Sequence, residues 1–332
     1  MPVEPKKMKA VIQEEYGVDP EEVLCISHVV QPPIDDDGVL VRVVSVSVDR
    51  GTWHLMSGLQ YPIRLGIGLR RPKALNPGRS FAGTIEFIGQ NVTDFKPGDH
   101  VFGTCDGAFA EYARTTTRKI AIKPSNLSFE QSAAIPVSGL TALQALRDKA
   151  HLQSGESVLI VGASGGVGTF AIQIAKAFGA EVTGVCSTSK TDLVSSLGAD
   201  HVIDYSLQSF ATVARRYDVI VDIGGVSRLS DLRRALTPRG RLVTVGGEST
   251  ARWIWPTAGR QIRSLLISPF VGQKLLSLLA SENSKDLSSL RDLVEAGDLR
   301  PAIDRTFRLG ETSAAIRYVQ EGYGRGKVVI SV

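Results

Sequence analysis

The first third of the chain is rich in short segments that are typical of β-strands. Residues 39–48 are largely β-branched and long enough for a strand, and residues 80–89 form a second candidate. A Pro-Gly turn at residues 97–98 leads into a third candidate, and residues 109–113 continue the pattern. This part of the chain therefore predicts a β-rich domain.

From about residue 125 the pattern changes to strand-length apolar runs, with helical spacing between most of them. Such alternation predicts βαβ units and a parallel sheet, and six strands make a complete dinucleotide-binding fold. The strand candidates are residues 158–161, 182–185, 201–203, 219–222, 241–245 and 265–268.

The last part of the chain begins after Gly272 with a predicted helical stretch over residues 273–296. Strand-like segments then return at residues 306–309 and 327–332. The simplest topology sends these residues back to the first domain, so that the dinucleotide-binding unit is an insertion.

The expected fold is therefore α/β, with a doubly wound Rossmann sheet inserted in a β-rich domain. The β-rich domain takes residues 1–124 plus 273–332, and the Rossmann domain takes residues 125–272. Two domains suit a chain of 332 residues, because single hydrophobic cores stop growing at about 250–300 residues.

Composition and charge narrow the class of protein. The chain is 43% hydrophobic and 22% charged, as globular proteins usually are. Its net charge of +4 is mild and no basic stripe interleaves with aromatic residues, so we expect no nucleic-acid partner. Three cysteines without a close pair suit a reducing compartment. Without a signal segment or a run of ~20 apolar residues, we expect a soluble, cytoplasmic protein with no membrane partner.

The strongest motif is an apolar strand that leads into a glycine-rich turn and then a helix. The turn occupies residues 162–168, and helical spacing continues until Gly179. Backbone N–H groups at the start of this helix can hold a pyrophosphate, helped by the helix dipole. The glycine spacing departs from the plain GxGxxG form, but the surrounding βαβ pattern favours a dinucleotide site. The expected contacts are Gly162, Ser164, Gly165, Gly166 and Val167.

The end of the second strand indicates which dinucleotide binds. An NAD site has an acidic side chain there to accept a hydrogen bond from the ribose 2′-OH. This chain has Ser187 and Lys190 instead, and a hydroxyl and an ammonium suit a 2′-phosphate. Tyr205, after the third strand, is placed to donate to the same phosphate. These residues favour NADPH, although Ser187 also suits a helix cap.

Several segments together resemble the medium-chain dehydrogenase/reductase superfamily, and more closely its zinc-independent quinone oxidoreductase and enone reductase branch. The resemblance extends over nearly the whole chain and implies a GroES-like β domain interrupted by the Rossmann domain. The segments that carry it are residues 48–58, 97–101, 133–142, 157–180, 197–205 and 326–329.

Zinc-containing members of this superfamily hold their catalytic metal with two cysteines and a histidine. By the resemblance, the three ligand positions fall at Asp49, Arg79 and Val137. An arginine cation and a valine offer no lone pair to zinc, so we expect no metal. The four-cysteine loop of a structural zinc site is also missing from the sequence, since Cys105 is the only cysteine in that region.

Without zinc, the remaining chemistry is hydride transfer from NADPH to a quinone or to the β-carbon of an activated alkene. Tyr61 resembles the active-site tyrosine of a Tyr-Pro segment in related enoyl reductases, and it is expected either to donate a proton or to line the pocket. Asp49 stands where quinone reductases commonly have asparagine. It accepts from the nicotinamide amide, acts as an acid, or pairs with Arg50. His54 is a further general-acid candidate that otherwise shapes the pocket with Trp53.

The resemblance also implies further cofactor contacts. One lies on the nicotinamide side, and others follow the fourth, fifth and sixth strands, at the carboxyl ends where Rossmann ligands bind. A last one near the C-terminus either reaches the 2′-phosphate or lies in solvent. In chain order these residues are Thr141, Gly224, Val245, Gly246, Phe270, Val271 and Arg325.

The sequence thus predicts an NADPH-dependent, zinc-independent reductase of quinones or α,β-unsaturated carbonyls. The resemblance implies a homodimer that pairs through residues 265–271. Two alternatives stay open. One is an alcohol dehydrogenase, against which the missing zinc ligands argue, and the other is a non-catalytic NADPH-binding regulatory protein.

Overall fold

The computed structural model describes residues 6–59, 64–245 and 272–332 of the chain. Its internal contacts divide the chain into two compact units. The first unit comprises Met1–Val137, Glu282–Ala296 and Ile303–Val332, and the second unit comprises Ser138–Ser281 and Gly297–Ala302. The domain bounds expected from the sequence stay a prediction.

The secondary structure follows the predicted order, with β-strands first and alternating strands and helices afterwards. The strands are β1 (Lys7–Gln13), β2 (Leu24–Val30), β3 (Gly38–Val48), β4 (Ser80–Ile88), β5 (His100–Thr104), β6 (Tyr112–Thr116), β7 (Ile120–Ile122), β8 (Ser157–Val161), β9 (Glu181–Cys186), β10 (His201–Asp204), β11 (Tyr217–Asp222), β12 (Leu236–Thr244), β13 (Lys274–Ser277), β14 (Ile303–Arg308) and β15 (Lys327–Ser331). The helices are α1 (Pro20–Val23), α2 (Arg50–Ser57), α3 (Arg64–Ile67), α4 (Phe129–Ala133), α5 (Pro136–Gln144), α6 (Gly166–Ala177), α7 (Thr191–Ser196), α8 (Leu229–Ala235), α9 (Ser284–Glu295) and α10 (Thr312–Gln320).

The first unit is built on a seven-stranded sheet in the order β14-β15-β3-β4-β5-β7, with β6 paired to β3. Strand β3 is central, because it pairs antiparallel with β4, β6 and β15. Its β-branched side chains are buried nearly throughout for that reason. They pack in one core with Trp53, Phe81 and Phe109. The prediction of a β-rich domain is therefore confirmed.

The second unit is a six-stranded parallel sheet in the order β10-β9-β8-β11-β12-β13. This is the order 3-2-1-4-5-6 of a doubly wound dinucleotide-binding sheet. Its central strands are apolar on both faces, as helices on both sides of a parallel sheet require. The predicted fold class is confirmed.

One stretch of the sequence prediction is wrong. Residues 273–296 were expected to be helical, but residues 274–277 form strand β13 and helix α9 begins only at Ser284. The spacing of the leucines is compatible with either a helix or a buried strand; these leucines are at positions 275, 276, 278 and 279. The segment forms a strand because it pairs with β12, where Leu275 lies opposite Leu242. The strand candidate at residues 265–268 lies outside the described residues.

Two further observations concern membrane-spanning helices and the cysteines. Within the described part of the chain, no helix has both the length and the apolar character needed to cross a membrane. The three cysteines are free, with Cys25 exposed and Cys105 and Cys186 buried.

Candidate active site

The turn between β8 and α6 has the backbone shape of a phosphate-binding loop. Gly162 adopts a φ of +87°, which favours glycine. A Cβ on Gly168 would lie 2.2 Å from the carbonyl oxygen of Gly162, so the first turn of α6 packs against the end of β8 at a distance that only glycine permits. The helix stops before Gly179, whose φ is +78°.

The start of α6 offers donors to an anion. Gly165 is its extended N-cap, and the amide of Gly165 donates to the carbonyl of Gly162 at 3.2 Å. The following N–H groups, from Gly166 onwards, belong to the first helical turn, where no intrahelical acceptor is available. Ser164 lies buried in the same turn. With the helix dipole behind it, this cradle fits the pyrophosphate of a dinucleotide.

Three of the sequence-predicted residues meet at the carboxyl ends of adjacent strands. Strand β11 pairs with both β8 and β12, so Gly162, Gly224 and Val245 follow neighbouring strands. A Cβ on Gly162 would lie 3.1 Å from the Gly224 amide nitrogen, and Val245 N donates to Asp222 O at 3.0 Å. This is the switch point of the sheet, where open α/β sheets bind ligands.

The structure also brings three of the 2′-phosphate candidates, Ser187, Lys190 and Tyr205, to one edge of the sheet. Asp204 pairs in register with Cys186, and the amide of Tyr205 donates to Cys186 O at 3.0 Å. Ser187 and Lys190 close one short turn on the same edge, with Lys190 N donating to Ser187 O at 3.0 Å. Tyr205 is 63% exposed and accessible to a ligand.

Asp204 is a residue of this edge that sequence reasoning missed. Its carboxylate accepts from the amide of Ser206 at 2.8 Å. A hydrogen bond from the Thr188 hydroxyl, more than any other contact, holds the pKa of Asp204 below its usual value. The carboxylate thus ties the Ser187–Lys190 turn to the end of β10. An Asp-x-Ser turn signal in the sequence was the available hint.

In the first unit, Asp49 lies at the N-terminus of α2 and is bound from two sides. Lys327 Nζ forms an ion pair with Asp49 Oδ1, and Ser80 Oγ donates to Asp49 Oδ2 at 3.3 Å. Ser80 Oγ in turn accepts from the amide of Val137 at 3.3 Å. Hydrogen bonds through Ser80 therefore link Asp49 and Val137, two of the three positions where, by the resemblance, zinc-containing members have their ligands. Lys327 was not singled out in the sequence.

Arg79, at the remaining one of these three positions, forms ion pairs with carboxylates. Its guanidinium forms ion pairs with Asp106 and with Glu282, the latter at 2.5 Å, and Lys119 also approaches Glu282 at 3.3 Å. Burial of Glu282 opposes its ionisation, but the hydrogen bond and charge of Arg79 outweigh burial and lower its pKa. Sequence reasoning missed Glu282, which lies far along the chain.

His54 lies on α2 in a partly buried place. Its ring meets the Trp53 ring edge-on, with 5.2 Å between centroids, and its Nδ1 is buried without a hydrogen-bond partner among the described residues. Burial, and then the charge of Arg50, lower the pKa of His54 to about 4. The imidazole is therefore neutral near pH 7.

This shift predicts an acid-dependent loss of stability. Unfolding returns the His54 pKa from about 4 to its ordinary value of 6.5, so the unfolded state binds the extra proton first. The free energy of unfolding should be unaffected above about pH 6.5 and fall by about 2–3 kcal/mol between there and about pH 4. Urea unfolding across this range should show a smaller decrease in His54→Phe, which keeps the ring contact. Equal slopes in both proteins would contradict the shift.

The structure shows where two further predicted residues lie but does not test their roles. Thr141 is half-buried on α5, and the amide of Arg325 donates to Asp304 Oδ2 at 3.0 Å near the start of β15. The same carboxylate accepts from the Tyr318 hydroxyl at 2.8 Å. Tyr61, Gly246, Phe270 and Val271 lie outside the described residues.

Comparison with protein families assigns both parts of the chain. Residues 35–125 match the alcohol dehydrogenase GroES-like domain, and residues 197–330 match a zinc-binding dehydrogenase family. The second name describes that family and not the metal content of this chain.

Full-length relatives agree with these matches. Quinone oxidoreductase of Homo sapiens is 32% identical over 338 residues, which cover 98% of each chain. The 2-methylene-furan-3-one reductase of Solanum lycopersicum is 31% identical over 343 residues, covering 98% of this chain and 79% of its own. The structure of the quinone oxidoreductase from Coxiella burnetii superposes with a TM-score of 0.83 at 29% identity, covering 98% of this chain and 100% of that one.

Proposed function

The chain belongs to the medium-chain dehydrogenase/reductase superfamily, and from this premise we propose that it is a zinc-independent, NADPH-dependent reductase of quinones or α,β-unsaturated carbonyls. It is accordingly an oxidoreductase of small molecules that uses a nicotinamide cofactor. The observation that carries the proposal is which side chains stand at the positions where, by the resemblance, zinc-containing members have their metal ligands. Arg79 is a cation bound to two carboxylates, and Val137 has no donor atom on its side chain.

The cradle at the start of α6 is proposed to hold the pyrophosphate of NADPH, and the edge formed by Ser187, Lys190 and Tyr205 is proposed to bind its 2′-phosphate. Neutral hydroxyls and an ammonium complement a phosphate dianion there, whereas an NAD site requires a carboxylate acceptor. Thr141, Val245 and the residues proposed from the resemblance complete the contacts. When bound, the reduced nicotinamide supplies the hydride.

Lys190→Ala is predicted to separate the two cofactors. Loss of one charge-assisted phosphate contact should weaken NADPH binding about tenfold and leave NADH binding nearly unchanged. Fluorescence titration of each cofactor measures both dissociation constants. Arg216→Ala is the matched control, because it removes an exposed cation just before β11, at the amino edge of the parallel sheet. An equal loss for both cofactors would remove Lys190 from the 2′-phosphate site.

The residues of the first unit are proposed to manage charge on the acceptor. Hydride addition leaves negative charge on the acceptor oxygen, which requires a hydrogen-bond or proton donor. Tyr61 is the proposed donor, with Asp49 and His54 as the other catalytic residues. Since His54 is neutral near pH 7, it serves as an N–H donor and not as an imidazolium.

The proposed function is tested by NADPH oxidation at fixed enzyme concentration with a naphthoquinone or a short-chain enone as acceptor. Turnover of the enone should fall about 100-fold in Tyr61→Phe, because the enolate formed by hydride addition then lacks its proposed donor. A quinone reductase should lose little in the same variant. Turnover of neither acceptor, together with tight NADPH binding, would support a regulatory protein. NADP-dependent oxidation of simple alcohols would support an alcohol dehydrogenase.

The free cysteines support a reducing compartment, and the cytoplasm is proposed on that ground. A homodimer is also proposed from the resemblance. The segment expected to pair, residues 265–271, lies outside the described residues, while β13 is the last strand in the described order of its sheet.

A further inference from the structure

Lys327 is a buried lysine at the start of β15. Its side chain is 1% exposed, and that of its partner Asp49 is 10% exposed. The antiparallel pairing of Val328 with Val48 brings the two side chains together from strands that are distant in sequence. A lysine ammonium is almost never fully buried unless a counter-charge lies against it. The arrangement therefore needs both partners.

We propose that Lys327 is a positioning residue for the reduction, which holds the Asp49 carboxylate in one orientation as a hydrogen-bond acceptor. This inference rests on the proposed function. It chooses between the acceptor and acid roles that the sequence left open for Asp49. Lys327 itself acts only through Asp49.

The hydrogen bonds around Asp49 support the acceptor role. Ser80 Oγ accepts from the amide of Val137, so its single proton is directed to Asp49 Oδ2. The other oxygen, Oδ1, receives the ammonium of Lys327. An ionised carboxylate accepts on both oxygens, whereas a proton on either one would compete with these donors.

The charges support the same role. The Asp49 carboxylate is the counter-charge of the buried Lys327 ammonium, and removing one partner of such a pair is strongly unfavourable. Two charged or titratable side chains of α2 lie close to Asp49 in the sequence. Arg50 follows Asp49 on α2 and donates to the carbonyl of Val319 at 3.0 Å, and His54 on the same helix is neutral. On the β4 side, Ser80 is uncharged.

The pairing also predicts what a neutral side chain would do at position 49. Asparagine there would offer a neutral amide oxygen and require no cation beside it. Aspartate offers the same acceptor geometry but brings a charge that must be balanced. The requirement for Lys327 should therefore disappear when Asp49 is replaced by a neutral amide.

The test compares Lys327→Met, Lys327→Arg, Asp49→Asn and the combination of Lys327→Met with Asp49→Asn in the full chain. NADPH-dependent kcat/KM is measured across pH with the better acceptor. Lys327→Met should lose about 100-fold near neutral pH, because Asp49 without its counter-charge leaves its orientation. Lys327→Arg should stay within about tenfold of the unsubstituted enzyme, and the combined variant should be at least about tenfold more active than Lys327→Met. Lys176→Met, which breaks a half-exposed pair with Asp200, is the control and should change little.

Urea unfolding provides a measurement independent of activity. Lys327→Met leaves a buried carboxylate without its counter-charge, so this variant should unfold at a clearly lower urea concentration than the unsubstituted chain. The combined variant carries neither charge and should regain most of that stability. Equal unfolding midpoints for Lys327→Met and the unsubstituted chain would overturn the dependence of Asp49 on the ion pair.

The activity measurements decide the positioning role. If Lys327→Met is as active per folded molecule as the unsubstituted enzyme, or if the combined variant is as inactive as Lys327→Met, the positioning role is wrong. If the unsubstituted enzyme reduces neither acceptor, the proposed function fails and the catalytic role fails with it. The unfolding midpoints still decide whether Lys327 balances the charge of Asp49.

Discussion

Gly168→Ala is expected to destabilise the second unit by about 3 kcal/mol and to weaken NADPH binding at least about 100-fold. The added Cβ would lie 2.2 Å from Gly162 O and 2.7 Å from the Ala163 carbonyl carbon. Both neighbours are backbone atoms, so no side-chain rotation relieves the overlap. Helix α6 must then move away from β8, and its first N–H groups move with it. Urea unfolding and cofactor titration measure the two effects.

Gly165→Ala is the matched control for the stability effect. Gly165 has an ordinary φ of −84°, and a Cβ there would meet only Gly162 O, at a van der Waals distance of 3.5 Å. Its substitution at the N-cap should cost no more than about 1 kcal/mol. Similar unfolding midpoints for Gly168→Ala and Gly165→Ala would refute the close packing of α6 on β8.

Trp53→Ala is expected to destabilise the first unit by about 4 kcal/mol. The indole is 2% exposed in the main core, and its Nε1 donates to the carbonyl of Val18 at 3.3 Å. Removing it leaves a large cavity beside α2, the helix that carries His54 and directly follows Asp49. Turnover should therefore fall together with stability. Chemical unfolding measures the first effect, and acceptor-dependent NADPH oxidation the second.

Leu55→Ala is the control that shows whether the loss of stability comes from the burial of the Trp53 side chain or only from a substitution on α2. Leu55 lies on the same helix but is only half-buried, so its truncation should cost well under half as much as that of Trp53. Equal losses for the two variants would mean that α2 is not anchored by the indole. The sequence suggested that Trp53 shapes the pocket, whereas the structure places it in the core.

Most of the fold was predictable because its signals are local. Strands β8 to β12 overlap runs of apolar residues of strand length, and the ends of α6 coincide with glycines at its N-cap and after its last turn. The same holds for the cradle, where Gly162 is needed for a positive φ and Gly168 for close packing. The error at residues 273–283 arose where leucine spacing suits two structures and only the neighbouring strand β12 chooses.

The candidate site was predicted less completely. The structure places Ser187, Lys190 and Tyr205 on one edge, because each follows a strand of a parallel sheet whose order is common, and their role in binding stays a prediction. The partners of the charged residues were missed. Arg79 and Asp49 were singled out as positions where, by the resemblance, zinc ligands are replaced, but Glu282 and Lys327 gave no signal, since a single charged residue beside a strand or loop usually lies in solvent.

The sequence by itself determined the strand–helix alternation, the glycine cradle and the family resemblance, because each depends on residues within a few turns or strands of one another. Only the tertiary structure decided which charges are buried and what neutralises them. Lys327 and Asp49 lie 278 positions apart, and no local pattern brings them together. Their pairing follows from the antiparallel register of β15 on β3, which removes water from both groups and makes each depend on the other.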